Sequence, residues 1–111
     1  MGAGADLTPP SVTRVSPANG ATAVATTSVI QLTFSKRIDP LTVTATNFTV
    51  CPSGGAAIAG TIVVAVNGLT ATFTPTSALL ASTLYYIDAS TGITDLEGQP
   101  IAASVTSFTT E

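Results

Sequence analysis

Chemistry in this chain would have to come from very few side chains. Asp95 and Glu97 lie two apart in the segment Asp95-Leu96-Glu97-Gly98-Gln99-Pro100. Two carboxylates this close could donate oxygens to Ca²⁺ at a junction between domains. A Ca²⁺ ion takes about six to eight oxygens, however, and no longer ladder of acids flanks the pair. The plainer role has Asp95 bonding the backbone of its own turn and Glu97 solvated. Asp39 could act as one of a glycosidase's two carboxylates. Followed by Pro40, it reads first as the N-cap of a short helical turn over 39–44, with proline at the first helical position. Cys51 is the single cysteine, so no internal disulfide forms, and no cationic neighbour in sequence favours its thiolate. We expect a small, half-buried side chain there. Tyr86, expected to face outward on a strand, could stack on a sugar ring, although an outward tyrosine commonly serves as a cross-strand partner. Lys36-Arg37 reads as a solvent-facing loop edge, and Asn47-Phe48-Thr49 fits the N-glycosylation sequon.

What is missing narrows the field further. The 111 residues contain no His, no Trp, three basic residues and a formal net charge of -3. Without His and with one Cys, the common zinc sites, the Ser-His-Asp triad and Cys-His catalysis have no donors to draw on. Three basic residues cannot neutralise a phosphate backbone, so no nucleic-acid partner is expected. The chain is 45% hydrophobic and 8% charged, the reverse of a disordered composition. Its longest apolar stretch, 56–66, is interrupted by Gly60 and Thr61 and falls well short of the about 20 residues of a membrane span, so no membrane insertion is expected.

The elements that must position these residues are strands. With 21 Thr and 10 Ser, hydroxyl side chains outnumber charged ones, and β-branched residues suit a pleated, half-buried surface. Strands are expected at 11–16, 28–35, 47–51, a run from Ala56 through Gly60 to Val66, 69–75, 83–89 and 103–110. Ile30, Leu32 and Phe34 alternate with Gln31, Thr33 and Ser35, and Tyr85, Ile87 and Ala89 with Leu84, Tyr86 and Asp88. Asn67-Gly68 predicts a tight hairpin with positive φ at both residues. Val105 and Phe108 differ in parity, so a bulge is expected in the last strand. About seven strands in a chain of this length predict an all-β, antiparallel two-sheet sandwich of Greek-key type, with a closed barrel as the other arrangement. Residues 1–6 read as a flexible leader and 7–111 as one domain. Phe34, Phe73, Leu79 and Phe108 are the expected core anchors. Tyr85 has the setting of a tyrosine corner, its ring in the core and its hydroxyl on a backbone acceptor nearby.

Several segments together resemble the bacterial Ig-like domains of S-layer type. They are Thr8-Pro9-Pro10-Ser11-Val12, Ser16-Pro17-Ala18-Asn19-Gly20-Ala21, Ile30-Gln31-Leu32-Thr33-Phe34-Ser35-Lys36, Ile38-Asp39-Pro40, Thr72-Phe73-Thr74-Pro75, Thr83-Leu84-Tyr85, Thr94-Asp95-Leu96-Glu97-Gly98-Gln99-Pro100 and Phe108-Thr109-Thr110. They run in the family's order from about Leu7 to Thr110. Glu97 and Gln99 depart from it, where a small residue and Asn are more usual. The resemblance implies an Ig-like β-sandwich that works as a non-catalytic spacer or presentation module. Such modules stand in tandem in a larger exported or cell-surface bacterial protein, with neighbouring domains of the same chain as partners. In a bacterial chain the sequon at Asn47 is expected to be a chance match. The alternatives are an adhesion or carbohydrate-binding module with a cell-surface or glycan partner, and an accessory domain of a secreted enzyme. No cofactor is expected beyond the Ca²⁺ that Asp95 and Glu97 could hold.

Overall fold

A computed structural model describes residues 9–111; the leader assigned to residues 1–6, the domain start at Leu7 and the Thr8 of the opening motif lie outside them. Eight strands and one 3-10 turn follow in order: β1 (Val12–Ser16), β2 (Ala21–Val24), β3 (Ile30–Phe34), the 3-10 turn (Pro40–Thr42), β4 (Phe48–Pro52), β5 (Gly60–Val64), β6 (Thr70–Pro75), β7 (Leu84–Ala89) and β8 (Ser104–Thr110). They form two four-stranded sheets, β1-β3-β6-β5 and β2-β8-β7-β4. No helix among the described residues is long and apolar enough to cross a membrane.

The alternation of apolar and hydroxyl residues builds the layers. Ile30, Leu32 and Phe34 of β3 and Ala71 and Phe73 of β6 point inward from one sheet. Phe48 and Val50 of β4, Tyr85, Ile87 and Ala89 of β7 and Phe108 of β8 point inward from the other. Phe48 and Phe73 meet across the gap with ring centroids 5.9 Å apart, and Tyr85 stacks on Phe108 at 5.5 Å within one sheet. Aromatic pairs of this kind add to the area they bury. Leu79, Ile93 and Ile101 close the core from the connecting loops.

Three details differ from the sequence expectation. First, residues 17–24 hold more than a turn. After a cis Ser16–Pro17 peptide the chain crosses to the second sheet, and β2 pairs parallel with β8, with Ala21 opposite Phe108 and Val24 opposite Thr110. The register shifts between those two pairs, where Ala23 has φ 53°. The sandwich is therefore antiparallel apart from this pairing, and has eight strands. Second, the hairpin at Asn67-Gly68 is longer than a two-residue turn. Gly68 N–H donates to the Ala65 carbonyl at 2.8 Å and Ala65 N–H to the Thr70 carbonyl at 2.9 Å. Only Gly68 of the two is left-handed, at φ 71°, while the Asn67 side chain accepts from Leu69 N–H. That is a loop ending in one left-handed residue, which needs one glycine and not two permissive positions. Third, β8 has no bulge. Its register with β7 is continuous from Leu84–Thr109 to Ala89–Ser104, and Val105 simply faces solvent opposite Asp88. Parity failed there because the inward positions beside Phe108 are Thr106 and Thr110, hydroxyl residues a hydrophobic pattern does not count.

Candidate functional site

Most of the side chains that hold loop backbone groups lie at the two ends of the sandwich. One end collects the end of β3, the start of β6, the end of β7 and the start of β8; Asp95 sits at its centre. Asp95 is only 3% exposed. Its Oδ1 accepts from the backbone N–H groups of Glu97 and Gln99, both at 2.9 Å, and its Oδ2 from Lys36 Nζ at 3.2 Å. The backbone N–H of Gln99 holds the carboxyl below its ordinary value of 3.8; Lys36 and the Glu97 N–H act in the same sense and outweigh the opposing effect of burial. Lys36 is thus not a solvent-facing loop residue as its neighbour Arg37 is: its side chain is 19% exposed and tied to Asp95. The acid that draws it in lies 59 residues along the chain, so nothing local announces the pair.

Around that ion pair the backbone is laced by side chains. Asp39 caps the 3-10 turn by accepting from Leu41 N–H at 3.0 Å. Thr42 Oγ1 donates to the Asp39 carbonyl at 2.7 Å and accepts from Thr94 N–H at 3.1 Å. Asn47 Nδ2 donates to the Thr42 carbonyl at 2.8 Å, and its Oδ1 accepts from Ser90 Oγ at 2.9 Å. The Asn47 amide occupies the space a Cβ on Gly92 would need, so only glycine fits there. Both ends of that amide are engaged, and a glycan on Asn47 would break the donor bond to Thr42. These are the groups of a brace. For a metal, Asp95 and Glu97 would be the donors, but both Asp95 oxygens already accept hydrogen bonds, and Ca²⁺ there would compete with Lys36. Among the described residues no group of three or more His, Cys, Asp or Glu comes together.

The opposite end is held by neutral hydroxyls. Tyr85, 1% exposed, accepts from Leu80 N–H through its hydroxyl at 2.9 Å. The sequence expectation of a backbone acceptor is therefore corrected: the phenol oxygen is the acceptor and a loop N–H the donor. Thr110 Oγ1 donates to the Leu80 carbonyl at 2.6 Å and accepts from Thr83 N–H at 2.8 Å. One loop residue, Leu80, thus has both backbone groups held by side chains. Thr110 was not singled out in the sequence, since a threonine closing a threonine-rich strand carries no local signal. A groove of about 300 Å³ beside this loop is lined by Pro52, Ile58, Leu79 and Leu80, and one of about 190 Å³ by Thr26, Thr74, Thr76 and Ser77. Neither lining brings a carboxylate or thiol. The other expected core anchors, Phe34, Phe73, Leu79 and Phe108, are all buried. Cys51 is a half-buried free thiol on β4 opposite Tyr86, which is 37% exposed on the outer face of β7.

Where the chain enters and leaves follows from the same contacts. Ser11 N–H donates to Ser35 Oγ at 2.9 Å and Ser35 N–H to the Ser11 carbonyl at 2.8 Å, which puts the entry at the Asp95 end. Glu111 N–H donates to the Val24 carbonyl at 2.9 Å and Ser82 N–H to the Glu111 carbonyl at 2.8 Å, which puts the exit at the Leu80 end.

Comparison with known proteins agrees with this architecture. A family model described as a bacterial Ig-like domain matches residues 6–110. No curated protein matches the chain in sequence. Among solved structures, the surface layer protein SbsC, domains 1-6, is similar at TM-score 0.69 and 26% identity over 93% of this chain and 14% of that one. The chain thus spans about a seventh of the length of that matched S-layer chain. A methionine-rich copper resistance protein from Escherichia coli, PcoC, matches at TM-score 0.68 and 17% identity, covering 92% of this chain and 98% of that one. An L,D-transpeptidase from Mycobacterium smegmatis matches at TM-score 0.65 and 19% identity, covering 93% and 40%. The last two share the fold.

Proposed function

The chain belongs to the bacterial Ig-like domain family, and from that premise we propose that it is a non-catalytic spacer of a larger exported or cell-surface bacterial protein. One observation carries the reading: the polypeptide enters at the Asp95 end and leaves at the Leu80 end. Domains joined at opposite ends of a sandwich line up along one axis, so each copy adds its full length to the reach of the chain. A domain whose ends met on one side would add bulk and little reach. The side chains at both ends support the same role. They brace loops and terminal strands: Asp39, Thr42, Asp95, Tyr85 and Thr110 each hold a backbone group. The partners on this reading are the neighbouring domains of the same chain. The likeness to S-layer SbsC, of which the matched part is a small fraction, is consistent with such a place.

Two copies of residues 7–111 joined end to end, studied by small-angle X-ray scattering, test this. The expected outcome is an elongated particle with a maximum dimension approaching twice that of one copy. A tandem folded back on itself, no longer than a single copy, would refute the spacer role.

A further inference from the structure

The parallel pairing of β2 with β8 has a mechanical meaning, and we infer that it is a tension clamp: the contact that resists extension when the domain is pulled along its chain. The geometry is set by direction and attachment. β2 and β8 run the same way, from the Asp95 end toward the Leu80 end, with Ala21 opposite Phe108 and Val24 opposite Thr110. Tension from a preceding domain draws the entry segment out past the Asp95 end. Tension from a following domain draws Glu111 out past the Leu80 end. The two strands are then pulled in opposite senses along their own length.

Under that load the bonds between them share the force and must fail together. Gly20 N–H to the Ser107 carbonyl at 2.7 Å marks one limit of the contact and Glu111 N–H to the Val24 carbonyl at 2.9 Å the other. Strands pulled apart from a common end instead lose their bonds one at a time, at a much lower force. β1 is antiparallel on β3, with Val12 opposite Phe34 and Ser16 opposite Gln31, and is also drawn along its axis. It must slip before load reaches β2 directly. The β2–β8 pair is the most direct link between the first segment and the last strand, since it joins them without passing through the rest of either sheet.

The exit is reinforced from the side. Thr110 N–H bonds the Thr83 carbonyl at 3.0 Å, its hydroxyl bonds the Leu80 carbonyl, and Ser82 N–H holds the Glu111 carbonyl. Load applied at residue 111 is thereby spread into the loop before β7, so the last strand is not peeled from its tip. The tension itself comes from the spacer's place between neighbours, so the biological meaning rests on the function proposed above; the clamp is a property of the domain alone.

Single-molecule pulling separates the two. The domain, carrying Cys51→Ser, is stretched in one case through its two termini and in another through Glu111 and a cysteine introduced by Ala81→Cys, both at the Leu80 end. Both versions are first matched by denaturant unfolding. The clamp predicts an unfolding force several times higher through the termini. It also predicts that Thr22→Pro, placed in β2 at an exposed position, lowers the terminal force toward the peeling force while leaving the peeling force nearly unchanged. Equal forces in the two directions would overturn the inference, even if the tandem proved elongated. A directional difference unaffected by a folded Thr22→Pro variant would also overturn it, by moving the resistance to β1 on β3. If Thr22→Pro does not fold, Glu111→Pro, which removes the N–H that bonds the Val24 carbonyl, takes its place with the same two outcomes.

Discussion

The two ends of this sandwich solve one problem with different chemistry. Each must fix loops that carry unpaired backbone groups over an apolar core, and such groups are costly to bury unsatisfied. The Asp95 end does it with a buried carboxylate, a lysine and an asparagine amide. The Leu80 end does it with a phenol and a threonine hydroxyl. The first uses charged groups and the second neutral ones. The contrast teaches that a chain with little charge can still place its few charges where they brace structure, and that neutral hydroxyls can do equivalent work.

The largest expected effect removes the support under one end. Phe108→Ala takes away the ring on which Tyr85 stacks and should cost about 3–5 kcal/mol, measured by equilibrium denaturation. If the ends are braced separately, hydrogen exchange in the folded fraction should quicken at residues 80–83 well before it does around Asp95. Next comes Tyr85→Phe, which keeps the ring and strands the Leu80 N–H. The expected loss is about 1–2 kcal/mol, unchanged between neutral and acid pH. A loss that varied with pH would erase the distinction between the ends.

The smallest effect is Asp95→Asn. The folded carboxyl titrates below 3.8, so its contribution to stability is fully present above that value and fades as pH falls through the lowered one. The native chain should therefore lose part of its stability on acidification, seen as a falling denaturation midpoint. Asp95→Asn should be modestly weaker at neutral pH and flatter in acid. An identical acid slope in both proteins would remove Asp95 as the titrating brace.

Much of the fold was legible because its signals were local. Ile30, Leu32 and Phe34 announce β3 by alternation, Asp39-Pro40 announces the 3-10 turn, and Tyr85 sits in a recognisable corner. What stayed hidden depended on distance. β2 is Ala21-Thr22-Ala23-Val24, four residues without a large side chain, and it becomes a strand because β8 lies alongside it. Lys36 looked like a surface cation until Asp95 was brought to it. Asn47, read as a sequon, is a bracing amide whose partners Thr42 and Ser90 lie on different loops. The Asp95 turn was legible as a turn; that its carboxylate is also the anchor of Lys36 was not.

The double hold on Leu80 also has a kinetic consequence. Its side chain is exposed and it belongs to no strand, so its amide would ordinarily trade its hydrogen with solvent quickly. That hydrogen instead points at the buried Tyr85 hydroxyl, and the residue's carbonyl is gripped by the final strand through Thr110. Leu80 should therefore exchange as slowly as the interior strands, and a protease should find no bend there to seize until β8 itself has come away.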